Sequence, residues 1–178
     1  MISIEVTFSF FGALGWASRN GHEGVVEILL GWEEVNPDTP NIDGQTLLSH
    51  AAQKGHEEVV KILLEREEVN PDKPDNDGQT PLLYAAENGH EEVVKMLLGR
   101  EEVNHDKLDN SSQTPPSLPA RNGYEEVVKM LLGREEVNPD KPVDYGRTPL
   151  SSTALHRHER VVALLQFHKA VSPPQPKP

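Results

Sequence analysis

The sequence repeats itself every 34 residues, and a period of that length leaves few architectures open. Gly21-His22, Gly55-His56, Gly89-His90 and Gly123-Tyr124 recur at this spacing, and so do Thr46, Thr80, Thr114 and Thr148. The stretches Glu91 to Asn104 and Glu125 to Asn138 are identical over 14 residues. The chain divides into about five units, at 12–45, 46–79, 80–113, 114–147 and 148–168. An apolar lead-in at 1–11 precedes them, and a Pro-rich tail at 169–178, expected to be disordered, follows.

The unit from Thr80 to Gln113 shows what one repeat is. Thr80-Pro81 reads as a helix start, because a Thr hydroxyl caps free N–H groups and a proline at the first helical position wastes no donor. Leu82, Ala85 and Ala86 then form a short apolar stripe, and Asn88-Gly89 ends the helix. A second helix is predicted from about Glu91 to Leu98, with Val93, Val94, Leu97 and Leu98 on one face. A polar, turn-rich stretch follows, as in Asn70-Pro71-Asp72-Lys73-Pro74-Asp75-Asn76-Asp77-Gly78. Neither helix is long enough to stand alone. Stacking neighbouring units buries both stripes, so the expectation is an all-α solenoid of helix-turn-helix units in which the stripes merge into one layer and the turns project as fingers.

Composition supports a thin core and narrows the function. Hydrophobic residues make up 35% of the 178, and mean hydropathy is −0.57. There is no Cys, which excludes a disulfide framework and a Cys-ligated metal. A net charge of −12 argues against nucleic acid and against an anionic membrane surface. Met1 to Phe11 is apolar but carries Glu5 and no basic residue, which is wrong for a secretory leader. The expected setting is therefore intracellular and cytoplasmic.

Thr80-Pro81-Leu82-Leu83-Tyr84-Ala85-Ala86-Glu87-Asn88-Gly89-His90, followed by Val93-Val94-Lys95-Met96-Leu97-Leu98 and Val103-Asn104, resembles the ankyrin-repeat signature. Asp75-Asn76-Asp77-Gly78 is similar to the hairpin tip that precedes it in that family. The wording of the repeats also resembles the ankyrin tails of fungal nucleotide-sensing receptors of the NACHT type. The resemblance implies a non-catalytic protein-interaction module, whose partners contact the loop tips and the inner face of each first helix.

Carried over by position, the tips are Asn41, Ile42 and Gln45, then Asn76, Asp77 and Gln79, then Asp144, Tyr145 and Arg147. The helix face supplies Trp16, His50 and Tyr84, with Arg19, Gln53, Lys54, Glu87, Asn88 and Arg121 beside them. Trp16 and Tyr84 are either interface anchors or residues leaning on neighbouring units. The expected partner is a protein, with a basic surface suited to an acidic concave face. Alternatives are a detached sensor tail of a nucleotide-driven receptor and a substrate-adaptor or effector protein.

Several positions break the pattern. Gly12-Ala13-Leu14 stands where a Thr-Pro-Leu start belongs, and Ser111-Ser112 replaces the Asp77-Gly78 tip. Pro119 is expected one turn into a helix, where proline costs about 3 kcal/mol. Arg157 takes the place of a turn glycine. These departures lead us to expect a fragment or decaying copy of a longer array, with the fourth unit its least stable part.

The sequence contains no phosphate-cradling glycine loop and no Cys nucleophile, and His156-Arg157-His158-Glu159 lacks metal-ligand spacing. No cofactor and no enzymatic activity are expected. The recurring His22, His56 and His90 are expected to hydrogen-bond structurally at the start of each second helix. Asn36, Asn70, Asn104 and Asn138 are expected to bond across the loops.

Overall fold

The computed structural model describes residues 4–32, 35–143 and 146–171, with side chains from residue 12 onward. Ten helices occur among the described residues. In chain order they are α1 Ile4–Arg19, α2 Glu23–Leu30, α3 Leu47–Lys54, α4 Glu57–Leu64, α5 Pro81–Glu87, α6 Glu91–Leu98, α7 Ser117–Asn122, α8 Glu125–Leu132, α9 Pro149–Leu155 and α10 Glu159–Val171. The odd-numbered helices pack in sequence on one another to form an inner layer, and the even-numbered ones form an outer layer behind them.

The helix starts follow from their caps. The Thr46 and Thr80 hydroxyls accept from the backbone N–H of Ser49 at 3.2 Å and of Leu83 at 3.3 Å. Thr148 does the same for Ser151, whose hydroxyl in turn accepts from the Thr148 N–H, a reciprocal capping box. The second helices α2, α4, α6 and α8 have no side-chain cap, but α4, α6 and α8 each carry two glutamates in the first turn, where the helix dipole favours negative charge.

His56 and His90, at the starts of α4 and α6, make structural hydrogen bonds as expected, and direct them to the preceding unit. His56 Nε2 and His90 Nε2 reach the carbonyls of Arg19 and Gln53 in the preceding unit, at 2.9 and 3.0 Å. Each ring lies so close to the preceding unit's turn glycine that only a hydrogen fits there: a Cβ on Gly21 would stand 2.6 Å from His56 Nδ1. Where Tyr124 replaces the histidine, Asn122 Nδ2 supplies the missing donor, to the Glu87 carbonyl at 2.8 Å. The asparagine side chains bond within their own loops, while the backbone N–H groups of Asn70 and Asn138 donate to Asp38 and Asp106 of the preceding loop. Asn36, Asn70, Asn104 and Asn138 each accept from the N–H two residues on, at 2.9 to 3.0 Å.

Three sequence expectations change on folding. The first helix begins at Ile4, so the described part of the lead-in belongs to α1. The last helix runs to Val171, three residues into the stretch assigned to the tail, whose residues 172–178 lie outside the described ones. The Val/Leu layer is not one piece. An apolar core extends from Leu14 to Leu131, while Ala120, Val128, Leu132, Val161 and Leu165 form a second, smaller group.

The seam between the two groups falls in the fourth unit, where the prolines are. Pro119 does not break its helix, because α7 starts two residues later than α5 does in its repeat. Pro119 is thereby the third helical residue, where an N–H has no intrahelical partner to lose. The late start sacrifices the cap instead. The Ser117 N–H bonds the Thr114 carbonyl at 3.0 Å, and the Thr114 hydroxyl is left buried with no partner.

Candidate protein-interaction surface

The turn segments form fingers beside the inner layer. Each finger closes when the backbone N–H of its first residue bonds the carbonyl of its fifth, as in Asn41 to Gln45 at 2.9 Å and Asp75 to Gln79 at 3.0 Å. The first side chain then accepts two backbone N–H groups: Asn41 Oδ1 takes Asp43 and Gln45, each at 2.9 Å. Neighbouring fingers are stitched together. The Asn76 N–H donates to the Asp43 carbonyl at 3.0 Å and the Asn110 N–H to the Asp77 carbonyl at 2.9 Å.

The candidate residues divide by what this stitching uses up. Ile42 is 89% exposed and Trp16 is 60% exposed, the latter with its ring 4.8 Å from that of His22. Arg19, Asn41, Lys54, Asp77, Asn88 and Arg147 are also exposed. Asn76 is exposed too, yet its side-chain amide donates to the Ile42 carbonyl at 3.1 Å. Gln53 is half-buried and lends its carbonyl to His90. Glu87 and Arg121 are half-buried partners at 3.5 Å. Asp144 and Tyr145 lie outside the described residues.

Tyr84 is placed inside. Its hydroxyl donates to Asp75 Oδ2 at 2.5 Å and accepts from Gln45 Nε2 at 2.7 Å, and the residue is only 8% exposed. Burial and the hydrogen bond to the Asp75 carboxylate both hold the phenol protonated well above its ordinary range. Gln79 repeats the arrangement one unit on, with Nε2 2.8 Å from Asp109 Oδ2. Gln45, Gln79 and Tyr84 therefore join units together.

His50, in the preceding unit, occupies the position of Tyr84 and is 8% exposed as well. Desolvation lowers its pKa, helped by the charge of Arg19 and opposed by Asp43. Its Nε2 stands 3.4 Å from Asn41 Nδ2, and its Nδ1 has no partner. The ring borders a cleft of about 380 Å³ between α1, at Gly12 and Gly15, and the first finger, at Thr39 to Ile42.

Asp38, Asp72 and Asp106 each bind the lysine of the next unit, Lys73, Lys107 and Lys141, at 2.6 to 2.8 Å. Lys169 closes the series on Asp140 at 3.0 Å. Each lysine of the first three pairs also bonds the backbone carbonyl of the same aspartate. The recurring Asp at 34-residue spacing is the visible trace of this ladder. It pins the bases of the fingers; the exposed charges of the inner helices and tips are of both signs, with Arg19 and Lys54 on the helices and Asp43 and Asp77 at the tips. Most paired glutamates lie on the outer helices and the loops behind them.

Among the described residues no group of three His, Asp or Glu could hold a metal ion, and no helix is long and apolar enough to cross a membrane. A family model of ankyrin repeats, in three copies, matches residues 14–109, just over half of the chain. No curated protein matches the sequence.

Proposed function

The chain belongs to the ankyrin-repeat family, a fold that generally serves protein–protein interaction without catalysis, and on that premise we propose that its finger side receives a partner protein. The observation that carries this is the pair Trp16 and Ile42. Both are large and apolar, and both stand open to solvent on inner helix and finger, where the corresponding Tyr84 is buried. Large apolar side chains exposed on an otherwise polar face are typical interface anchors. The mechanism is rigid display: the stitched fingers and the Asp–Lys ladder hold the surface in one shape, so little ordering entropy is lost on binding.

We place this role inside the cell and favour a partner with a basic surface. The finger side itself mixes both signs of charge, so the net −12 acts mainly at long range, steering a basic partner to the surface. Such binding weakens as salt rises.

A photo-crosslinking amino acid placed at Ile42, and separately at Glu92 on the outer face, tests the reading in the native cell. A specific adduct from position 42 and none from 92 is expected. No adduct from either, or the same adducts from both, overturns it. Binding of the captured partner that ignores added salt removes the basic-partner part.

A further inference from the structure

We propose that the cleft between the first helix and the first finger seats an apolar side chain of a bound polypeptide, whose main-chain carbonyl accepts a hydrogen bond from His50 Nδ1. This deepens the interaction reading above and rests on it. Two independent features come together here: a histidine lining the cleft whose donor has no acceptor, and space that no described side chain fills.

The donor follows from hydrogen-bond accounting. Asn41 Oδ1 is taken by two backbone N–H groups at 2.9 Å, which fixes the orientation of that amide. Its Nδ2, a donor only, therefore faces His50 Nε2 at 3.4 Å. Nε2 must accept, so in the neutral ring the proton sits on Nδ1. Nδ1 is buried with no partner, although buried donors are nearly always paired, so the ring must turn for Nδ1 to meet an acceptor in the cleft that the residue lines. One unit on, the Tyr84 hydroxyl in the same position is satisfied by Asp75. The charges that act on His50, those of Arg19 and Asp43, oppose each other, so a neutral carbonyl suits the site better than a carboxylate.

The space comes from Gly12 and Gly15. Neither has a positive φ, and a Cβ on either would meet nothing within 4 Å. Helix geometry does not ask for glycine there, and glycine weakens a helix interior. The visible consequence of the pair is an open side to the cleft, whose other lining includes Leu47, Pro40 and Ile42. At about 380 Å³ the cleft lies within the size range of built binding sites. Its mainly apolar lining and the unpartnered donor of His50, beside the polar groups of Thr39, Asn41 and Gln45, match one apolar residue and its adjoining carbonyl.

The test uses the full, isotope-labelled chain and the blocked amino acid N-acetyl-leucine methylamide as probe. Nitrogen shifts of the free protein should show His50 carrying its proton on Nδ1; a proton on Nε2 overturns the proposal. The probe should move the signals of Gly12, Gly15, Ile42 and the His50 ring in a saturable way. Gly15→Leu, which fills the space and favours the helix, should weaken the probe by about tenfold or more, and H50F by several-fold. No saturable shift up to the probe's solubility limit, or equal affinity in Gly15→Leu, overturns the cleft. If a partner crosslinked through position 42 binds Gly15→Leu as well as the parent, the cleft assignment fails and the interaction reading stands. If no partner is crosslinked while the probe binds as expected, the interaction reading fails and the cleft survives as a site for this chemistry.

Discussion

At the residue scale, the left-handed backbone positions separate what each unit tolerates. Gly44, Gly78 and Gly146 hold φ between 68° and 82° at the finger tips, and Ser112 holds 57° at the same place. Arg157 holds 61° where the other units have a turn glycine. A side chain in this region is strained, so Ser112→Gly and Arg157→Gly should each stabilise the chain by roughly 0.5–1 kcal/mol, net of the entropy glycine adds to the unfolded state. A urea midpoint that rises at constant slope would show it. Gly21→Ala is the opposite case. It combines φ of 70° with a clash against the His56 ring, which would have to release the Arg19 carbonyl. A loss of about 2 kcal/mol or more is expected, and a loss below about 0.5 would mean that the ring is not held there. Tyr84 sets a pH dependence. Its folded pKa is raised above the unfolded value near 10, so its contribution is complete below pH 10 and declines as pH rises beyond it. Tyr84→Phe should remove that alkaline decline. It should also cost about 1–3 kcal/mol at neutral pH, because Asp75 Oδ2 loses its buried donor. The same slope in parent and variant would assign the decline to another group.

At the element scale, the fourth unit is weak for a reason its sequence shows only in part. Pro119 was readable as a helix problem, but the helix avoids the problem by starting late. What is lost is the Thr114 cap, two helical residues and the continuity of the apolar layer. Amide exchange should therefore be fastest in α7, with uniform protection across the inner helices counting against this view. Pro119→Ala should let the helix start at residue 115 and recover the cap. A gain of roughly 1 kcal/mol is expected, read as slower exchange in α7 and α8. The Asp–Lys ladder is the other device of this scale. Lys107→Met leaves the half-buried Asp72 carboxylate without its cation and should cost about 1 kcal/mol, more at low salt than at high. A salt-independent loss would point to packing of the lysine stem instead.

At the scale of the whole molecule, a stack whose apolar layer is divided need not unfold as one. Both tryptophans, Trp16 and Trp32, lie in the first unit, so their fluorescence reports one end of the larger core while circular dichroism reports every helix. In urea, the helical signal should begin to fall before the tryptophan signal moves. Coincident curves would show that the seam at the fourth unit transmits the transition. The period, the helix pairs, the Thr caps, the turn glycines and the apolar stripes were all legible in the sequence, because each depends on contacts spanning a few residues and is printed several times over. The lengths of the first and last helices, the late start of α7, the burial of Tyr84, the Asp–Lys ladder and the His50 cleft were decided by tertiary structure. They rest largely on pairs some 30 to 40 residues apart or on the open space between units, as with Gln45 and Tyr84 or Asp72 and Lys107. Whether a polar side chain at a given repeat position faces a partner or a solvent-filled gap depends on what the adjoining unit presents there. His50 and Tyr84 share one position in the repeat, and only the stack determined which of them is satisfied.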